Sequence, residues 1–285
     1  MLDVAIATAT TVPEPDADQA LLLEALRSRG LRAEAWAWDE PSDPWPAARR
    51  VIIRSTWNYL HRPEAFLRWV EQQGPRILNA PSVVRWNIHK RYLVELAAAG
   101  LPVVPTALIP KGSRQTLEAM LAERGWERAV LKPAVSAGSW ATRRLSRGAL
   151  SAEDQAAYHS IVEERDLLLQ PYIRSVEDYG ERSIIMIDGA LTHAIRKSPR
   201  FFDGEESVTG PLPIADEERE VAERFLAAGR QQGRLLYGRV DLARDEAGRP
   251  MLMELELIEP SLFLDRSPMA MARLADAIAR FCRES

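Results

Sequence analysis

Arg239-Val240-Asp241-Leu242, a turn at Asp245-Glu246-Ala247-Gly248, and Met253-Glu254-Leu255-Glu256-Leu257-Ile258-Glu259-Pro260 form the stretch that decides how this chain is read. Both arms alternate or run apolar, and the turn residues between them predict a β-hairpin rather than a helix. Side chains two apart on a strand face the same way, so Glu254 and Glu256 share a face, and Asp241 on the paired strand is expected to join them. Three acids buried on one sheet face are strongly unfavourable without something positive beside them. Magnesium, an oxygen-seeking ion that bridges nucleotide phosphates, is the economical answer, which makes the three residues candidate metal ligands. The alternative is a solvent-facing antiparallel strand with alternating Glu. It does not account for apolar Leu255, Leu257 and Ile258 around the acids.

The chain has 285 residues, 46% of them hydrophobic, enough for a sizeable core in one large or two to three small domains. A net charge of −4 and no Lys/Arg stripe argue against a nucleic-acid partner. The single cysteine, Cys282, excludes an intrachain disulfide and fits a reducing compartment. The first residues lack the pattern of a signal peptide, and no apolar run approaches the roughly 20 residues that span a bilayer. The expectation is a cytoplasmic protein without a membrane partner.

Outward from the hairpin, residues 1–80 alternate strand and helix as an open βαβ sheet, with strands at Val4–Ala7, Ala33–Trp38 and Val51–Ile53. Ligands of such sheets meet the carboxyl ends of the strands, and Arg54, Ser55 and Trp57 follow one directly. They are the candidate substrate-carboxylate pocket, with an Arg paired to a neighbouring acid as the plainer reading of Arg54. Residues 81–109 form a linking helical region, 110–173 a small α+β unit, and 174–285 a sheet of antiparallel hairpins with two helices. The Asp188-Gly189 pair between two apolar runs is a strong two-residue hairpin signal. The fold class expected is mixed α/β (α+β).

In this order the pieces resemble an ATP-grasp ligase over nearly the whole chain. The resemblance implies an N-terminal sheet followed by two α+β subdomains that clasp ATP. Lys90 and Lys132 match the two lysines that hold the nucleotide phosphates in that family, as compact cations suit phosphate oxygens. Ser136, Gly138 and Ser139 match its small loop over the phosphates. Gln170, Tyr172 and Ile173 match its adenine segment, and Glu177 the carboxylate that holds the ribose hydroxyls. Asp241, Glu254 and Glu256 match its metal ligands, with Glu256 where Asn is usual. Arg239 and Arg196 match arginines that stabilise the transferring phosphoryl group.

Two departures point away from glutathione synthesis. Gly180-Glu181-Arg182-Ser183 replaces Gly-Asp-Lys-Arg, and Glu205-Glu206-Ser207-Val208-Thr209-Gly210 replaces the Arg-Gly-Asn substrate segment. A nearer likeness is the glutathione synthetase-like branch that includes the O-ureido-serine cyclo-ligase of D-cycloserine biosynthesis. It rests on Arg54–Tyr59, Val84–Lys90, Val135–Ser139, His193–Lys197 and Glu254–Ser261. The resemblance implies a homodimeric ligase that uses ATP and two magnesium ions, with manganese as a substitute. It activates a small-molecule carboxylate as an acyl phosphate, and an amine, free or in the same molecule, then displaces phosphate. The second class of function is a nucleotide-binding partner protein that has kept the fold and lost the chemistry. The four histidines are scattered and form no metal cluster; His193 reads as a structural hydrogen-bond partner ahead of a proton-transfer group.

Overall fold

A computed structural model describes residues 1–12, 16–42, 44–198 and 207–284. The Glu205-Glu206 part of the substrate-segment departure lies outside the described residues. The chain opens with β1 (Leu2–Thr8), α1 (Ala17–Arg27), β2 (Ala33–Ala37), β3 (Ala48–Ile53), α2 (Pro63–Gln73) and β4 (Ile77–Leu78). These strands form a parallel sheet in the order β2-β1-β3-β4. Val4–Ala7 and Val51–Ile53 are fully buried, as parallel strands covered on both faces must be. Asp16 caps α1 by accepting the Asp18 N–H at 3.0 Å.

Two short helices, α3 (Pro81–Asn87) and α4 (Tyr92–Ala98), lead to the second sheet. Its elements are β5 (Ala107–Ile109), α5 (Leu117–Arg124), β6 (Arg128–Pro133), β7 (Arg143–Ser146), α6 (Ala152–Val162) and β8 (Leu167–Pro171). The antiparallel order is β5-β8-β6-β7, so this unit recruits residues 107–109 from the stretch expected to be a linker. Apolar side chains of α5 and α6, among them Leu117, Leu121 and Tyr158, bury against Leu131, Leu145 and Leu169.

The third sheet carries the acids. After α7 (Ser175–Asp178) come β9 (Glu181–Ile187), β10 (Ala190–Ser198), β11 (Ser207–Leu212), α8 (Asp216–Gln232), β12 (Tyr237–Arg244) and β13 (Pro250–Glu256), then α9 (Pro268–Arg283). The order is β11-β10-β9-β12-β13, antiparallel throughout. Asp188 and Gly189 turn β9 into β10 with φ of 49° and 78°, the left-handed pair a two-residue hairpin needs. One face of the sheet packs Ile184, Met186, Val240 and Leu242 on α8 residues Ala222, Phe225 and Leu226. On the other, Ile185, Ile187, Ile195 and Tyr237 share a core with the N-terminal sheet and α9. No helix among the described residues is long and apolar enough to cross a membrane.

Candidate active site

A cleft of about 1020 Å³ opens where the three sheets meet. Its floor is the predicted hairpin. Asp241 pairs across the ladder with Glu254, and Arg239 with Glu256, so period two brings all four side chains to one face. Asn87 fixes the end of β13, donating to Leu255 O at 2.8 Å and accepting from the Leu257 N–H at 2.9 Å. From the second sheet, Val130 and Lys132, two apart on β6, reach the same cleft, as does Lys90 from the turn before α4. Lys132 Nζ lies 2.5 Å from Glu254 Oε1, and Lys90 Nζ lies 3.8 Å from Glu254 Oε2. Lys90 also donates to Ser136 O at 2.7 Å and Ser136 Oγ at 3.1 Å, which ties the small loop to the first lysine.

Among the described residues five carboxylates line the cleft, Glu181, Asp241, Glu254, Glu256 and Glu259, against four cations, Lys90, Lys132, Lys197 and Arg239. Arg239 holds Asp241 at 2.9 Å and also pairs with Glu256. Lys197 lies 3.3 Å from Asp241 and pairs with Glu181. Burial raises a carboxyl, but at Asp241 Arg239 and Lys197 outweigh it and hold the group well below the usual range. At Glu254, Lys132 and Lys90 do the same, bringing the pKa to about 2. Burial wins at Glu256, raised despite Arg239, and at Glu181, raised to about 7 despite Lys197. Lys197 itself is pushed up: burial and Arg239 oppose its charge, but Asp241, Glu181 and Glu256 prevail.

The expected nucleotide residues fall unevenly. Gln170, Tyr172, Ile173, Ser136, Gly138 and Ser139 all line the cleft. Gln170 Nε2 donates to Thr106 Oγ1 at 2.9 Å, and the Tyr172 N–H is taken by Arg128 O at 2.9 Å. Glu177 lies outside the lining, exposed on α7 and 3.5 Å from Arg128. Apolar Val104, Val130, Val176 and Met253 flank this end, a slot that single-residue motifs did not reveal.

Three expected residues, Arg196, Arg54 and Ser55, lie away from the cleft lining. Arg196 does not face the acids: it stands opposite Arg182 on the α8 side of the sheet and donates to Asp178 O, while Lys197 takes the cleft side. Arg54 is 1% exposed and lies beneath the cleft, with Nη2 donating to Pro260 O at 2.9 Å and 3.8 Å from Asp18. Its Nε and Nη1 have no partner among the described residues, yet the guanidinium is not part of the lining. Ser55 is also buried out of the lining, 3.0 Å from Thr8 Oγ1 and 3.2 Å from Gln19 Oε1. Trp57 does line the cleft, and its Nε1 donates to Glu259 O at 3.1 Å. His193 is buried, with ring nitrogens 3.0 Å from Thr192 Oγ1 and 3.1 Å from Leu262 O, as a structural histidine would be.

Among the described residues no three acids or histidines form a ready-made metal cage. That suits magnesium, which takes one or two carboxylates together with substrate phosphates and keeps several waters. Glu254 and Glu256, 24% and 30% exposed, keep oxygens open to the cleft, so the donor set fits the ion.

A parallel N-terminal sheet, a small antiparallel unit bearing one lysine, and a hairpin bearing the acids together define an ATP-grasp ligase. The fold is shared with the D-alanine–D-alanine ligase of Bacillus anthracis solved with ATP, at a TM-score of 0.71 and 13% identity over 99% of this chain and 98% of that one. Residues 4–79 match the family model described as the N-terminal domain of D-cycloserine synthetase DcsG. The chain is 34% identical over 283 residues to the cycloserine biosynthesis protein DcsG of Streptomyces lavendulae, covering 93% of each. It superposes on the crystal structure of D-cycloserine synthetase DcsG with a TM-score of 0.88 at 33% identity, covering 98% of this chain and 99% of that one. The chain belongs to this DcsG family of ATP-grasp ligases and is an ATP-dependent ligase.

Proposed function

We propose that the cleft binds ATP with two magnesium ions and activates the carboxylate of a small amino-acid-like molecule as an acyl phosphate. A nitrogen of the same molecule then displaces phosphate and closes a ring. The observation that carries this reading is the convergence of Lys90, Lys132, Lys197 and Arg239 on Asp241, Glu254 and Glu256 in one cleft. Each of those three acids is paired to a cation. With a metal–nucleotide complex in the cleft, the carboxylates would hold the metal and the ammonium groups would pair with the phosphates.

Asp241, Glu254 and Glu256 would hold the metal, which supplies charge neutralisation at the phosphates. Manganese would serve in its place. The purine edge meets the Tyr172 carbonyl and the Ile173 N–H, since the Tyr172 N–H is already donated to Arg128 O. Lys90, Lys132 and the 136–139 loop orient the phosphates, and Lys197 with Arg239 takes up charge as the phosphoryl group transfers. Trp57 and Asn58 line the cleft and would meet the organic substrate there. The cyclising alternative is preferred to an intermolecular one because the relatives above 30% identity carry the name of D-cycloserine synthesis. The test is a mass-spectrometric product screen with ATP, magnesium and O-ureido-D-serine. D-cycloserine, ADP and phosphate in equal amounts are the expected products, with the carbamoyl group of the ureido substituent leaving through water as carbon dioxide and ammonia. Tight ATP binding with no turnover on a broad panel of amino acids would favour the silent nucleotide-binding protein instead.

A further inference from the structure

Glu259 has no part in the nucleotide or metal roles above. Its side chain lines the cleft and is nearly buried, three residues beyond Glu256. The peptide around it is pinned: Trp57 Nε1 donates to Glu259 O at 3.1 Å, Arg54 Nη2 to Pro260 O at 2.9 Å, and Tyr237 Oη to Ile258 O at 2.9 Å. Tyr59 lines the same cleft and faces its carboxyl, and the Tyr59 ring is stacked on Phe66 with centroids 5.0 Å apart. The other charged groups that face it are Glu256 from β13 and Lys90 from the turn before α4. Among the described residues Glu259 forms no ion pair, unlike every other acid of the cleft.

The second half of the ligation needs a proton acceptor. A nitrogen that attacks an acyl phosphate becomes cationic unless it sheds a proton. Asp241, Glu254 and Glu256 are committed to cations or metal, Glu181 is paired to Lys197, and Lys90, Lys132, Lys197 and Arg239 are donors only. His61 sits exposed at the mouth, its ring against Trp140 at 5.7 Å. Among the described residues Glu259 is the remaining carboxylate, held where the N-terminal sheet meets the phosphate cations.

We propose that Glu259 is the general base of the second half-reaction, taking the proton of the attacking nitrogen, with Tyr59 as the residue that positions its carboxyl. This rests on the ligase reading above. The nitrogen lone pair forms the C–N bond to the acyl carbon. The C–O bond to phosphate breaks and its electron pair leaves with phosphate. The N–H proton passes to the Glu259 carboxylate, and the resulting acid returns it to water when the cleft opens. Burial, reinforced by Glu256 and opposed by Tyr59 and Lys90, raises Glu259 to about 8, which makes its ionised form a stronger base than a surface glutamate.

The experiment follows O-ureido-D-serine with magnesium-ATP, with and without hydroxylamine. Hydroxylamine, a far stronger nucleophile than a ureido nitrogen, traps an acyl phosphate as the hydroxamate and sheds its proton to solvent, so it needs no base from the protein. For Glu259→Gln, ring-closed product should fall on the order of 10²-fold or more, while hydroxamate stays within roughly threefold of wild type. The wild-type rise in product formation with pH should vanish in this variant, and Tyr59→Phe should displace that rise along the pH axis. Product from Glu259→Gln within a few-fold of wild type would overturn the assignment. So would a parallel loss of product and hydroxamate, which places Glu259 in activation or folding. A wild-type protein that forms neither product nor hydroxamate would overturn this inference together with the ligase reading, whereas hydroxamate from both proteins keeps the two separable.

Discussion

Asp241 is 1% exposed and receives Arg239 Nε at 2.9 Å, Arg239 Nη2 at 2.9 Å and Lys197 Nζ at 3.3 Å. A residue so placed serves the resting fold as well as the metal. Asp241→Asn leaves two buried cations short of their partner, so it should cost about 3–5 kcal/mol in urea unfolding and weaken magnesium-dependent ATP binding as well. Glu259 has the opposite sign. Its pKa rises from 4.5 when unfolded to about 8 when folded, so its contribution to stability is full below 4.5 and is lost as pH rises toward 8. Glu259→Gln should therefore gain more than about 1 kcal/mol on wild type between pH 5 and pH 8, read from urea unfolding at both values. The sequence exposed the acids because period two is simple arithmetic. It did not expose Lys197, since alternation alone does not say which of two adjacent cations faces inward. β10 carries register shifts between Leu191 and His193 and between Ala194 and Arg196, which a linear reading cannot see.

Elements with strong local signals were legible. The hairpins at Asp188-Gly189 and Asp245–Gly248, α6 at Ala152–Val162 and α9 at Pro268–Arg283 follow from turn residues, caps and apolar spacing. β7 was not, because Arg143-Arg144-Leu145-Ser146 has a single apolar residue and is a strand only by pairing with β6. β11 was hidden by Gly210-Pro211, which only an edge strand tolerates. The loop between β6 and β7 is the element expected to move. Trp140 stands against His61 at 5.7 Å and under Arg165 at 4.9 Å, so it bridges the small unit and the N-terminal sheet across the mouth. Closure there would keep water from an acyl phosphate. Hydrogen exchange at 136–142 should slow when magnesium-ATP is added. Trp140→Ala should weaken that protection and raise ADP release without product, through hydrolysis of the exposed intermediate. Unchanged exchange in both proteins would argue against a lid.

At the scale of the whole molecule, the N-terminal sheet is coupled to the chemistry through the chain that returns from β13. Arg54 and Asp18 come from the first 60 residues, yet their partners are Pro260, Leu264 and Asp265, with Asp18 Oδ1 accepting the last two N–H groups at 2.8 and 3.2 Å. Tyr237 joins the same crossing, its ring 5.4 Å from the Arg54 guanidinium and its hydroxyl bonded to Ile53 O and Ile258 O. A sequence reading sees Arg54 at a strand end and leaves it between a ligand and a neighbouring acid, because contacts more than 200 residues away leave no local trace. In the fold the guanidinium braces the loop that carries Glu259. Arg54→Ala would strand Asp18 and the Pro260 carbonyl, so unfolding free energy should fall by about 3–5 kcal/mol. Below its melting temperature the variant should bind magnesium-ATP near wild-type affinity, since Lys90 and Lys132 are held independently. Its turnover should drop more than its substrate KM rises, because the loss falls on placement of the Glu259 loop. Unchanged stability with a large rise in substrate KM alone would instead return Arg54 to the role of a carboxylate clamp that opens to the cleft when substrate binds.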